Sequence, residues 1–275
     1  QSSCDDADAG SYVPTTGQSS QTACAAGTYQ DTAGQISCDN ADAGSYVSTT
    51  GQTSQTACAV GTYQATVGQS SCGDADAGSY VSTTGQTSQT ACAAGTYQDT
   101  AGQISCDNAD AGSYVDQTGQ STQTACAAGT FQATVGQSSC GDADAGSYVP
   151  TTGQSSQTAC AVGTYQATVG QSSCGDADAG SYVDQTGQTS QTTCAVGTYQ
   201  SATGQTSCDN ADAGSYVPTT GQSNQTVCAT GTYQSLTAQS DCDDADAGSY
   251  VPATGQTSQT TCAVGTFQLD AGQDS

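Results

Sequence analysis

Cys24-Ala-Ala-Gly-Thr-Tyr-Gln30 opens a stretch that reaches the next cysteine, Cys38, fourteen residues on, and continues as Cys38-Asp-Asn-Ala-Asp-Ala-Gly-Ser-Tyr-Val47. These two phrases recur along the whole chain. Cysteines stand at 4, 24, 38, 58, 72, 92, 106, 126, 140, 160, 174, 194, 208, 228, 242 and 262, so the spacing alternates between 20 and 14. The aromatics keep a finer step of 17, from Tyr12, Tyr29 and Tyr46 through Phe131 to Phe267. A Gly lies two residues before each aromatic, and a Gly-Gln pair five and six residues after it, with one lapse at Ala238-Gln239. Fixed self-similarity of this kind is the signature of a repeat array.

Two kinds of 17-residue unit alternate. Type A reads Cys-x-x-Ala-Asp-Ala-Gly-Ser-Tyr-Val and places Cys eight residues before the aromatic; type B reads Cys-Ala-x-Gly-Thr-Tyr-Gln and places it five before. Paired, they give eight 34-residue repeats starting at Cys4, Cys38, Cys72, Cys106, Cys140, Cys174, Cys208 and Cys242. No linker or composition shift interrupts residues 1–275, which therefore read as a single tandem array. The chain starts at Gln1 and stops at Ser275, where the next residue in phase would be Cys, so a window of a longer array is the expectation.

Composition excludes whole classes of function. The 275 residues carry 25 acidic groups, all Asp, and no Lys, Arg or His, for a net charge of −25. Without cations nothing neutralises phosphates, so nucleic acid is excluded as a partner, as is a basic membrane-surface role. No apolar run is long enough to span a bilayer. Val, Ile, Leu and Phe number 16, 2, 2 and 2. So few large apolar side chains, with this charge, would leave an ordinary chain disordered. The sixteen cysteines are the feature able to order it.

Each unit reads as a short hairpin. Pro14, Pro150, Pro218 and Pro252 all sit two residues after a Tyr, where Pro presets φ for a type I turn. The Gly three residues later suits the left-handed position that closes a loop. Ser-Tyr-Val or Thr-Tyr-Gln reads as the outgoing arm, and Gln-Ser-Ser or Gln-Ile-Ser as the returning one. Helical periodicity is absent. The expected fold is all-β or irregular, small, disulfide-rich and elongated: a tandem-repeat rod of short β-hairpins.

An even cysteine count in a chain without a core points to disulfides in an oxidising, extracellular or cell-surface setting. Structural zinc would need clustered thiolates or imidazoles, and no two cysteines here lie closer than 14 residues. The pairing itself has two solutions. Cys4–Cys24 and Cys24–Cys38 are both centred two residues after a Tyr, and either would staple a hairpin. Loop entropy separates them by only a few tenths of a kcal/mol. The shorter spacing is favoured because its ends meet across arms of a few residues. It gives Cys24–Cys38, Cys58–Cys72, Cys92–Cys106, Cys126–Cys140, Cys160–Cys174, Cys194–Cys208 and Cys228–Cys242.

Cys24-Ala-Ala-Gly-Thr-Tyr29 with Cys38 fourteen residues on resembles the first module of tumour-necrosis-factor-receptor cysteine-rich repeats. It is more similar still to the ephrin-receptor-like cysteine-rich repeats of large extracellular proteins. Those units carry two cysteines, eight and five residues before the aromatic. This chain keeps one of the two alternately: Ala41 stands where the second would be and Gln21 where the first would be. The resemblance covers the whole chain and implies an extended, extracellular, disulfide-laddered rod.

Four features invite chemistry. Eighteen of the 25 Asp lie between a type A cysteine and its Gly, and Asp39, Asp42, Asp5, Asp6 and Asp8 are weak Ca²⁺ candidates. They lack the spacing and the closing Glu of an EF-type loop, so solvated loops are the main expectation, with no cofactor. The Ser/Thr content suggests O-glycosylation, with Thr15 and Thr16 beside Pro14 as candidates, and Asn224-Gln225-Thr226 is an N-glycosylation sequon. The aromatic stripe is read as packing within the array rather than as a sugar-stacking surface. Catalysis is not expected: no His, Lys, Glu or Arg is present to act as acid, base or oxyanion partner.

The function read from this is non-enzymatic. It is a structural component of an extracellular fibre, stalk or surface appendage, acidic, self-associating and glycosylated. The alternatives are a receptor or adhesin ectodomain binding protein or glycan, and an ice-binding repeat protein. The recurrent Thr-Ser-Gln-Thr lacks the strict Thr-x-Thr alternation that would put both hydroxyls on one strand face.

Overall fold

The structure, a computed structural model, describes residues 4–275. It is all-β with no helix among the described residues: thirty two-residue strands pair into fifteen antiparallel hairpins. In the first type A hairpin, β1 (Ser11–Tyr12) pairs with β2 (Thr22–Ala23), with Tyr12 opposite Thr22. In the first type B hairpin, β3 (Thr28–Tyr29) pairs with β4 (Asp39–Asn40), with Tyr29 opposite Asp39. This alternation continues to Thr260–Thr261.

The outgoing arm contains the aromatic, but the returning arm is not Gln-Ser-Ser. It lies further on, at Thr22–Ala23 or Asp39–Asn40. The reason is a competing bond. The Gln35 carbonyl, which a tight hairpin would turn inward, accepts from the Val13 amide of the preceding unit at 3.0 Å. Backbone groups must find partners, and here the neighbour supplies them.

Within each of the two bodies that the chain's contacts define, three backbone hydrogen bonds join a unit to the next. From the first A unit to the first B unit, the Gly10 amide donates to the Gln30 carbonyl at 2.7 Å, Val13 to Gln35 at 3.0 Å, and Gly34 back to Ala7 at 2.8 Å. From B to the next A, Gly27 donates to Val47, Gln30 to Gln52, and Gly51 back to Cys24. The loop glycines that make the return bonds are left-handed, Gly34 at φ 76° and Gly51 at φ 73°. Ala238 holds the same place at φ 59° and is the one non-glycine residue of positive φ among those described.

A second layer of packing links units of the same type. A Cβ on Gly10 would collide with the Gly51 carbonyl, and one on Gly27 with the Gly68 carbonyl. Within each body A turns therefore sit against the next A loop, and B turns against the next B loop.

The buried interior is narrow and repeats in step. Type A units contribute Ala41 and Val47, and type B units contribute Cys24 and the Gln30 side chain. Gln30 buries its amide without loss, because its Nε2 donates to the Ser37 carbonyl and its Oε1 accepts from the Thr32 amide. Contacts divide the chain into two bodies. One runs to Cys126 and takes in Gln132–Cys140; the other comprises Ala127–Phe131 and Gly141–Ser275. Both repeat the same A and B pattern.

Candidate functional site

Seven disulfides are present, each across 14 residues: Cys24–Cys38, Cys58–Cys72, Cys92–Cys106, Cys126–Cys140, Cys160–Cys174, Cys194–Cys208 and Cys228–Cys242. Cys24 and Cys38 bring their Cα atoms to 5.8 Å. Cys24 lies fully buried directly after β2, ahead of the turn that leads into β3, and Cys38 half-buried directly before β4, so the bond closes the base of the B hairpin. Cys4 and Cys262 are unpaired among the described residues.

Type A hairpins are closed at the same place by another device. The position matching Cys38 is Gln21 or Gln55, and the position matching Cys24 is Ala7 or Ala41. Gln21 Nε2 donates to Asp8 Oδ2 at 2.6 Å, and its Oε1 accepts from the Asp8 amide at 2.6 Å. The same two-bond clasp joins Asp42 to Gln55, Asp76 to Gln89 and Asp110 to Gln123 in the first body. In the second it joins Asp144 to Gln157, Asp178 to Gln191, Asp212 to Gln225 and Asp246 to Gln259. One bond of each is charge-assisted. Hairpins are thus stapled alternately by sulfur and by an Asp–Gln pair. In the sequence the clasp is marked only by a Gln-Thr pair that recurs in every type A unit, such as Gln21-Thr22 and Gln55-Thr56.

The acidic segments do not act as one cluster. Asp42 and Asp8 hold their glutamines. Asp39 stands on β4 opposite Tyr29 and receives a long contact of 3.5 Å from Gln30 Nε2. Asp5 and Asp6 are exposed, and the Asp6 carboxyl lies against Gly34. Among the described residues no three His, Cys, Asp or Glu gather to hold a metal ion.

Thr15, Thr16 and Asn224 are all exposed. The Thr15 hydroxyl accepts from Gln18 Nε2 at 2.9 Å, and Asn224 Nδ2 donates to the Ser223 hydroxyl at 3.3 Å. Gln225, inside the sequon, is held in a clasp with Asp212. The tyrosine rings are half-buried along the hairpins. Burial pushes the phenol of Tyr29 above the usual tyrosine range, and Asp42, Asp39 and Asp31 push it further. Tyr97 is raised in the same way, by burial and then by Asp110, Asp107 and Asp99.

These features define a cysteine-rich, tandem-repeat protein of disulfide-stapled hairpins. Seven disulfides point to an oxidising, extracellular environment, with a structural or binding role. No helix among the described residues is long and apolar enough to cross a membrane. No model of a known protein family matches the chain, and no curated protein matches it.

Proposed function

We propose that this protein is a non-enzymatic structural element of an extracellular fibre, stalk or surface appendage. The observation that carries the reading is the sameness of the unit junctions. Within each body the unit junctions use the same three backbone bonds, and turns pack on loops of their own type, as Gly10 does on Gly51. Such an array grows in one dimension without a new design at each step. Identical edges also favour head-to-tail self-association.

The likeness to ephrin-receptor-like and tumour-necrosis-factor-receptor repeats supports the extracellular setting. In this reading the exposed hydroxyls of Thr15 and Thr16, and Asn224, carry glycans that shield the thin interior. The test is electron microscopy of native material, joined to peptide mass analysis. Filaments with an axial repeat set by the 34-residue period are expected, with hexose increments on the Thr15–Thr16 peptide. Dispersed globules overturn the fibre, and unmodified peptide masses overturn the glycans.

A further inference from the structure

The sixth repeat departs from its neighbours at three positions that meet in space. A groove of about 570 Å³ opens between its A hairpin and the following B hairpin, lined by Tyr182, Asp184, Thr192, Thr193, Thr206 and Ser207 among others. Where this repeat has Asp184, other A loops have Pro14, Ser48, Ser82, Asp116, Pro150, Pro218 and Pro252. Where it has Thr193, five have Ala, such as Ala57 and Ala159. Thr206 takes the place of Ser in four repeats (Ser70, Ser138, Ser172, Ser240), of Ile36 and Ile104 in two and of Asp274 in one, and adds a methyl group to the serine hydroxyl. The sixth repeat is the one that combines a carboxylate, an added hydroxyl on the strand Thr192–Thr193 and Thr206. In a chain of near-copies, a chemical difference concentrated in one groove marks it off from the scaffold.

We propose that this groove binds a neutral oligosaccharide. Tyr182 is half-buried, so its ring is held in place and offers a fixed flat surface for the C–H face of a sugar ring. Thr192, Thr193, Thr206 and Ser207 are exposed, and their hydroxyls are not engaged with other protein groups. Each both donates and accepts, which suits the hydroxyls of a saccharide. Asp184, also exposed, adds a strong acceptor for a pair of sugar hydroxyls. The carboxylate and the −25 net charge disfavour sialylated, uronic or sulfated sugars. This inference does not depend on the fibre reading, since the groove lies within one repeat pair.

Saturation-transfer NMR on the disulfide-intact protein tests it, with cellotetraose and mannotetraose as neutral probes and 3′-sialyllactose and tetralysine as controls. Transfer to the ring C–H protons of a neutral probe is expected, and none to sialyllactose. The double variant Asp184→Ser and Thr193→Ala restores residues that other repeats hold at the same places, Ser48 and Ala57, so the fold is kept. It is expected to weaken the neutral sugar at least tenfold. Three results overturn the proposal: no transfer to either neutral probe, equal binding by the variant, or binding of tetralysine or sialyllactose in preference to the neutral sugars.

Discussion

Gln55 embraces Asp42: its Nε2 donates to the Asp42 carboxylate at 2.5 Å while its Oε1 accepts from the Asp42 amide at 2.6 Å. It does so at the position where, one unit earlier, Cys38 reaches Cys24. Both staples tie the residue before the returning strand to the start of the hairpin. The array therefore needs covalent closure at only every second hairpin.

The equivalence is testable by exchange. Gln55→Ala removes both bonds in a solvent-exposed setting and is expected to cost about 1 kcal/mol. The readout is faster hydrogen exchange at the Asp42 amide, with neighbouring B hairpins unchanged. The double variant Ala41→Cys and Gln55→Cys places thiols at the positions of a native bridge, Ala41 being as buried as Cys24. A disulfide is expected, contributing about 3 kcal/mol for a 15-residue loop, offset by about 1 kcal/mol for the lost clasp. Two free thiols after oxidation would show that the two closures are not interchangeable.

Reduction of the native bridges is the larger perturbation. Seven closures at about 3 kcal/mol each come to roughly 20 kcal/mol, above the roughly 5–15 kcal/mol of a typical folded protein. The clasps and the junction bonds remain but do not make up this loss, because the interior holds little more than Val, Ala, Cys and Gln. Gentle thiol treatment is expected to change the circular dichroism and raise the hydrodynamic radius together. If neither moves, the junction ladder rather than sulfur orders the chain.

The 17-residue step, the two unit types and the hairpin fold were legible because cysteine, aromatic and glycine spacings admit little else. The returning arm was not. Gln-Ser-Ser looks like a strand beside a turn, and only the neighbouring unit reveals that the Gln35 carbonyl is taken by Val13. The clasp was hidden for a related reason. Gln21 was visible as a missing cysteine and the Gln-Thr pair recurs, but neither reveals that the partner is Asp8, thirteen residues back, held through both its carboxylate and its backbone amide. Packing of like on like was equally out of reach, since Gly10 and Gly51 lie 41 residues apart.

That packing separates two roles of glycine. Gly17 is left-handed at φ 77° but would meet nothing within 4 Å if it gained a Cβ, whereas Gly10 at φ 84° would collide with the Gly51 carbonyl. Gly17→Ala is expected to cost about 1–2 kcal/mol for the backbone alone. Gly10→Ala adds about 1–3 kcal/mol of overpacking. Ala238 is the reverse case, already strained at φ 59°, and Ala238→Gly is expected to stabilise by about 1 kcal/mol. Denaturation midpoints measure all three, and equal effects for Gly10 and Gly17 would remove the like-on-like contact from the account.

Alkaline titration probes the interior from another side. Burial, followed by Asp42, Asp39 and Asp31, holds the Tyr29 phenol neutral beyond the ordinary tyrosine range, and Tyr97 behaves likewise beside Asp110, Asp107 and Asp99. In the unfolded chain both lose their protons near pH 10. The folded state thus binds more protons just above that pH, and stability must fall as pH rises. The contribution is whole below about pH 10 and is lost as pH climbs through the raised values. Absorbance at the tyrosinate band should therefore show a late-ionising fraction. Tyr29→Phe with Tyr97→Phe should remove that fraction and lessen the loss of stability above pH 10. A wild-type curve with every phenol titrating together would mean that these two rings stand in water, free of the carboxylates opposite them.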